Sequence, residues 1–84
     1  MDSVPSQAPV CRAIAIQLRI ERERQHLTLE ALAQRAGLSR QMVSYVEQGA
    51  RTPTIETLLR MTAALGVALE DLIRDARRDG GSGG

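Results

Sequence analysis

Apolar residues recur along the chain at intervals of three and four positions, the spacing that gathers side chains on one face of an α-helix. Five such segments are separated by turn residues, and no alternation with a period of two persists long enough to indicate a β-strand. The pattern predicts helices over residues 10–25, 29–36, 40–48, 55–65 and 69–77. It therefore favours a compact all-α domain of five short helices.

The ends of the three middle helices are marked by residues with a definite conformational role. Each helix is preceded by a hydroxyl side chain of the kind preferred at N-caps. The three predicted N-caps are Thr28, Ser39 and Thr54. Each helix is followed by a glycine, a residue that adopts left-handed backbone conformations without strain. These glycines are Gly37, Gly49 and Gly66.

The apolar stripes predict which faces are buried. In the first helix Val10, Ile14 and Leu18 share one stripe. A second stripe, Ile16 and Ile20, lies on the far side and either packs on the fifth helix or forms a subunit interface. In the fourth and fifth helices the residues expected to face inward are Ile55, Leu58, Leu59, Thr62, Leu65, Leu69, Leu72 and Ile73.

The second and third predicted helices are joined by the four-residue turn "AGLS" around Gly37. Two short helices joined so tightly must cross steeply, which predicts a helix-turn-helix unit over residues 29–48. At 100° per residue, Val43, Val46 and Glu47 fall on the inward side of the third helix. The opposite, outward side carries Gln41, Ser44, Tyr45 and Gln48, with Arg40 in the first turn.

The outward side of the third helix suits recognition of DNA bases. Arginine pairs with guanine O6 and N7, glutamine with adenine N6 and N7, and serine with either base. We expect base contacts from Arg40, Gln41, Ser44 and Tyr45. We expect phosphate contacts from Thr28, Ser39, Gln48 and Arg51. A merely solvated helix face is the alternative, but such a face usually favours Glu and Lys.

Net charge, apolar runs and cysteine content indicate which classes of protein this sequence can belong to. All eleven basic residues are arginine, and ten acidic residues leave a net charge of only +1, so bulk charge does not indicate a nucleic-acid partner. Residues 35–51 are nevertheless locally basic, with three arginines against Glu47. The sequence has no apolar run long enough for a membrane span and no signal peptide pattern. The single cysteine, Cys11, fits a protein of the reducing cytoplasm.

The two ends of the chain are expected to lie outside the folded domain. Residues 1–9 contain two prolines and no apolar run, and residues 79–84 end in a Gly/Ser string typical of a flexible linker. The helix-turn-helix domain is therefore predicted over residues 10–78. About 65 to 70 residues are near the lower size at which a chain folds unaided, so stability gained from a partner subunit is plausible.

The segment "LTLEALAQRAGLSRQMVSYVEQGARTPTIETLLRMTAALGV" resembles the phage-repressor and Cro type of helix-turn-helix domain, also called the xenobiotic-response-element type. The short chain is also similar to the controller proteins of restriction–modification systems. The resemblance implies an ion pair between Arg22 and Glu47, and a homodimer that binds double-stranded DNA. It places the dimer interface at the fifth helix and the corner before it, through Val67, Leu69 and Ile73.

Two function classes remain open at this point. The first is a sequence-specific transcriptional regulator that binds a pseudo-palindromic operator as a homodimer. The second is an antitoxin or adaptor that uses the same fold to hold a protein partner, with Ile16 and Ile20 as its docking residues. An enzyme is disfavoured, because the sequence has one histidine, no phosphate loop and no metal-ligand spacing. We expect no catalytic residue, metal or cofactor.

Overall fold

The computed structural model describes residues 8–78, and these residues form five α-helices and no strand. The helices are α1 (Ala8–Arg24), α2 (Leu29–Ala36), α3 (Arg40–Glu47), α4 (Ile55–Leu65) and α5 (Leu69–Ala76). α2 packs against both α3 and α4, whereas α5 packs mainly on α1. The predicted all-α, five-helix architecture is confirmed.

The first helix begins two residues earlier than the apolar pattern indicates. Ala8 and Pro9 form its first turn, where the missing N–H of proline breaks no intrahelical hydrogen bond. These two residues therefore do not belong to the arm expected over residues 1–9. The rest of that arm and the predicted tail, 79–84, lie outside the described residues.

The three predicted N-caps form the expected hydrogen bonds. Thr28 Oγ1 accepts the backbone N–H of Ala31 at 3.0 Å, and Ser39 Oγ accepts that of Met42 at 3.0 Å. Thr54 Oγ1 accepts the N–H group three residues further on at 3.1 Å. By contrast, the N-cap of α5 is Ala68, whose side chain cannot accept a hydrogen bond. The start of α5 is thus the least well capped of these four.

The core lies between the helices and is aliphatic. Its fully buried side chains come from α1, α2, α3 and α4: Leu18, Leu32, Val43, Val46 and Met61. Leu72 from α5 is 7% exposed and completes the same cluster. Since the lone aromatic residue, Tyr45, is absent from this cluster, the core is packed from aliphatic side chains and methionine without an aromatic ring.

The predicted inward face of α4 is partly wrong. Leu58, Thr62 and Leu65 are buried, but Ile55 and Leu59 are 63% and 51% exposed. The buried stripe is instead completed by Met61, on the other side of Leu58 around the helix. Ile55 and Leu59 lie one helical turn apart on the flank of that stripe. They form an exposed apolar pair, referred to below as the α4 patch.

The second apolar stripe of α1 is also exposed. Ile16 and Ile20 are 49% and 42% exposed, so they are not buried against α5. Small residues, Ala13 and Ala15, are buried in the same helix. Of the two alternatives for this stripe, packing on α5 is therefore excluded. Within residues 8–78, none of the helices combines the length and the apolar content that crossing a membrane requires.

Candidate nucleic-acid interface

The α2–α3 unit has the close crossing that the "AGLS" turn predicts. Gly37 adopts φ 71°, which directs the chain sharply out of α2. The N–H of Leu38 then donates to the carbonyl of Ala33 at 2.9 Å, closing the end of α2. Ala33 is 3% exposed and Val43 is fully buried, so small and branched side chains fill the angle between the helices. The turn fixes the orientation of α3.

One long side of α3 faces away from the core. Arg40 and Gln41 are exposed, and Ser44 and Tyr45 are half-buried. The carboxylate of α3, Glu47, is buried on the opposite side. The outward side of this helix therefore combines one cation with amide and hydroxyl groups and carries no acidic side chain.

The polar side chains of this outward side are bonded to one another. Gln41 Nε2 donates to the hydroxyl of Tyr45 at 2.7 Å, and Gln48 Nε2 donates to Ser44 Oγ at 3.1 Å. The guanidinium carbon of Arg51 lies 5.7 Å from the centroid of the Tyr45 ring, within the range of a cation–π contact. These contacts order the side chains before any ligand is bound.

The four candidate phosphate contacts are all exposed. Thr28 and Ser39 are exposed and stand at the starts of α2 and α3, where backbone N–H groups and the helix dipole favour an anion. Gln48 and Arg51 are exposed at the other end of α3 and in the loop beyond it. Gln48 and Arg51 contact the candidate base contacts directly, through Ser44 and the Tyr45 ring, and Ser39 caps the same helix.

Arg19 was missed by the sequence analysis. It lines a cleft of about 200 Å³ together with Leu29, Ser44 and Gln48, although it lies on α1. Its side chain is 62% exposed, and its Nε donates to Glu23 Oε2 at 3.1 Å. No local sequence signal identifies this residue, because its closeness to α3 arises from tertiary packing.

The ion pair between Arg22 and Glu47 ties α1 to α3. Arg22 Nε and Nη2 donate to the two carboxylate oxygens of Glu47 at 2.8 and 3.0 Å, and its Nη1 donates to the carbonyl of Leu27 at 2.7 Å. The hydrogen bonds to Glu47 raise the pKa of Arg22, and burial opposes that rise. The Glu47 side chain is 4% exposed. A bidentate pair of this kind holds the back of α3 in a fixed position.

The three residues expected at a dimer interface are only partly buried within the domain. Val67 and Leu69 pack against the core cluster while remaining half-buried, and Ile73 is half-buried on α5. The α4 patch was not among the residues expected at an interface. It adds a further exposed apolar surface to the domain.

Two further chemically reactive side chains, His26 and Cys11, lie apart from α3 in the sequence. His26 ends the α1 region with φ 58°, a conformation suited to a helix end, and Cys11 is exposed. Within residues 8–78 no three His, Cys, Asp or Glu side chains are close enough together to hold a metal ion.

Residues 18–72 match the family model described as helix-turn-helix. The chain belongs to this family. An HTH-type transcriptional regulator of Sinorhizobium fredii is 42% identical over 55 residues, which cover 66% of this chain and 70% of the relative. A Mycobacterium tuberculosis relative of the same type is 38% identical over 55 residues, and the match spans about two fifths (39%) of that relative's length. The family is one of DNA-binding transcriptional regulators, not of enzymes.

Solved structures agree with this assignment. The clp gene regulator ClgR from Corynebacterium glutamicum superimposes with a TM-score of 0.78 at 27% identity, over 83% of this chain and 74% of that one. The restriction–modification controller protein C.AhdI from Aeromonas hydrophila gives a TM-score of 0.70 at 30% identity, over 75% and 94% of the two chains. The resemblance to repressor-type and controller-type domains is confirmed at the level of fold and family.

Proposed function

We propose that this chain is a sequence-specific DNA-binding transcriptional regulator that acts in the cytoplasm as a homodimer. The observation that carries the proposal is the outward side of α3, which presents a cation, amides and hydroxyls without a carboxylate. An acidic group there would repel the phosphates of DNA. Family membership supports the same function, since the matched relatives are transcriptional regulators.

In the proposed complex α3 lies in the major groove. Arg40, in the first turn, reaches toward a guanine, while Gln41, Ser44 and Tyr45 face the following base edges. Phosphates on either side of the groove are bound at the helix starts capped by Thr28 and Ser39, and by the exposed side chains of Gln48 and Arg51. We add Arg19 to these phosphate contacts, because it borders the same cleft as Ser44 and Gln48.

The proposed homodimer buries the α4 patch together with Val67, Leu69 and Ile73. The side chains of Ile55 and Leu59 are more than half exposed, and contact of their apolar surface with water costs free energy. Burial of that surface against a second copy would remove the cost. A two-fold axis through this interface would place the two α3 helices in successive major grooves, about 34–36 Å apart. An operator with two pseudo-palindromic half-sites follows from that symmetry.

The interface is tested by sedimentation equilibrium of Ile55→Asp and Leu59→Asp. Each substitution places a charge in the proposed interface while changing an exposed position of the monomer. We expect the variants to be folded monomers with weakened DNA binding. Ile16→Asp is the matched comparison: if the exposed stripe of α1 forms the interface instead, this substitution, and not those on α4, dissociates the dimer. A dimer that survives both α4 substitutions contradicts this interface.

The function is tested by selecting binding sites from a random duplex library at two salt concentrations. The wild-type protein should enrich a pseudo-palindrome. Arg40→Ala should relax particular base positions within each half-site, whereas the exposed control Arg74→Ala on α5 should leave the sequence unchanged. A uniform loss of affinity for Arg40→Ala would make that residue a phosphate contact. Failure of the wild-type protein to enrich any sequence would contradict the proposed function.

One observation favours the second candidate function, a module that binds a protein partner. Ile16 and Ile20 are exposed one turn apart on α1, on a face that the core does not use. Contiguous exposed apolar patches mark protein interaction sites, whereas single apolar residues scattered over a surface do not. If Ile16→Asp abolishes regulation in cells while operator binding and dimerisation in solution are unchanged, this second function is supported.

A further inference from the structure

The structure joins two of the candidate base contacts, Gln41 and Tyr45, in a single hydrogen-bonded unit. They are separated by one helical turn, and Gln41 Nε2 lies 2.7 Å from the Tyr45 hydroxyl. The Tyr45 ring is in turn covered by the guanidinium of Arg51, 5.7 Å from its centroid. Two contacts therefore restrict the tyrosine, and the tyrosine restricts the glutamine.

Counting hydrogens shows what this unit offers to DNA. A glutamine amide has two N–H donors and one carbonyl acceptor. In Gln41 one N–H is used by Tyr45, so one N–H and the carbonyl oxygen Oε1 remain. One donor beside one acceptor is the set that pairs with adenine, whose N7 accepts and whose N6 amino group donates.

The opposite arrangement would select a different base. If Gln41 accepted the hydroxyl proton of Tyr45 through Oε1, its two N–H groups would be left facing outward. Two donors suit guanine, which presents two acceptors, N7 and O6, in the major groove. The observed direction of the Gln41–Tyr45 bond, with Nε2 as the donor, therefore favours adenine over guanine.

We propose that Gln41 and Tyr45 read one A·T base pair as a unit, with Gln41 contacting adenine and Tyr45 acting as the positioning residue for its amide. This inference rests on the proposed function and adds the base that α3 recognises at one position. The Tyr45 hydroxyl accepts from Gln41, which keeps the amide in the orientation that leaves one N–H and Oε1 for adenine.

The test begins with the half-site selected by the wild-type protein. Gln41→Ala should relax one position within it, and that position should be an A·T pair preferred by roughly 5- to 150-fold. Tyr45→Phe removes the hydroxyl but keeps the ring beneath Arg51. It should relax the same position about 2- to 10-fold, as the loss of one hydrogen bond predicts. In the double variant, the preference should equal that of Gln41→Ala alone.

A modified base separates a direct contact from a general loss of structure. Replacing the adenine by 7-deazaadenine removes the N7 acceptor and should weaken binding of the wild-type protein but not of Gln41→Ala. Arg74→Ala is the control, because its side chain is exposed on α5 and lies outside the candidate base contacts. It should leave the position read by Gln41 unchanged.

Three results would overturn the inference while leaving the proposed function intact. They are a G·C pair at the position that depends on Gln41, a Tyr45→Phe variant with unchanged preference there, and a Gln41→Ala variant that relaxes no position. A wild-type protein that enriches no sequence would instead remove the proposed function on which the inference rests.

Discussion

Replacing Glu47 by alanine removes the carboxylate that joins α1 to α3. The Arg22 guanidinium would lose two of its three hydrogen-bond acceptors and keep the carbonyl of Leu27. Its side chain is only 12% exposed, so water has limited access to replace what is lost. The substitution therefore leaves a largely buried cation whose remaining counter-charge is the more exposed carboxylate of Glu23, 3.9 Å away.

The magnitude follows from the burial of the pair. Breaking a buried ion pair by removing one partner costs about 3–5 kcal/mol, mostly because the remaining charge is uncompensated. A domain of about 70 residues has a total unfolding free energy of about 4–10 kcal/mol. The loss is therefore comparable to the whole stability, and a 3 kcal/mol loss lowers the Tm of a domain this size by at least about 12 °C.

Urea and thermal unfolding followed by circular dichroism measure this effect. The matched control is Arg74→Ala, which breaks a pair of similar length, 2.9 Å to Asp71, whose side chains are 63% and 59% exposed. We expect that control to cost at most about 1 kcal/mol. Replacing both buried partners, as Arg22→Met with Glu47→Leu, should recover most of the loss. A Glu47→Ala variant no less stable than Arg74→Ala would refute the reasoning.

Three further predictions concern single positions. Arg19→Ala should reduce the slope of log affinity against log salt by about 0.9, as loss of one phosphate contact requires, and Arg74→Ala should leave that slope unchanged. Ala68→Ser should stabilise the domain by about 0.5–2 kcal/mol in urea unfolding, because α5 has no side-chain cap; no gain would show that its start is satisfied otherwise. Gly37→Ala and Gly66→Ala should each cost about 1–2 kcal/mol, because both residues adopt φ above +70°. A much larger loss at Gly37, where an added Cβ would lie 3.1 Å from an arginine nitrogen, would show that this side chain does not move aside.

Features set by local chemistry are predictable from the sequence. A hydroxyl side chain just before a helix can accept one of the backbone N–H groups that have no partner within the helix. This rule predicts three caps, and all three hydrogen bonds are present, at Thr28, Ser39 and Thr54. Gly37 was assigned to the turn because a left-handed residue is needed where two helices meet so closely, and its φ is 71°. In both cases the deciding interactions lie within a few residues along the chain.

Features set by tertiary packing are not predictable in the same way. Ile55 and Leu59 were expected inside because they are apolar and helical, but α4 is contacted along the stripe that contains Leu58 and Met61. Periodicity alone cannot choose between two adjacent flanks of a helix that is rich in apolar residues. The closeness of Arg19 to α3 arises in the same way, from how α1 is placed.

The orientation of side chains on α3 lies between these two cases. A helical projection at 100° per residue predicts that Gln41 and Tyr45 face outward, and both lie on the outer side of the helix. It says nothing of the hydrogen bond between them or of the stacking of Arg51, because these depend on rotamers and on the path of the loop after α3. The candidate base contacts stay a prediction until DNA is bound.

The central claim is most directly tested by one ratio of affinities. Fluorescence anisotropy at physiological salt would compare binding to the selected pseudo-palindromic duplex with binding to a scrambled duplex of the same composition. A sequence-specific regulator predicts a ratio of about 10³ or more. Equal affinities for the two duplexes would contradict the account, because the protein would then contact only the phosphates of the DNA and not its bases.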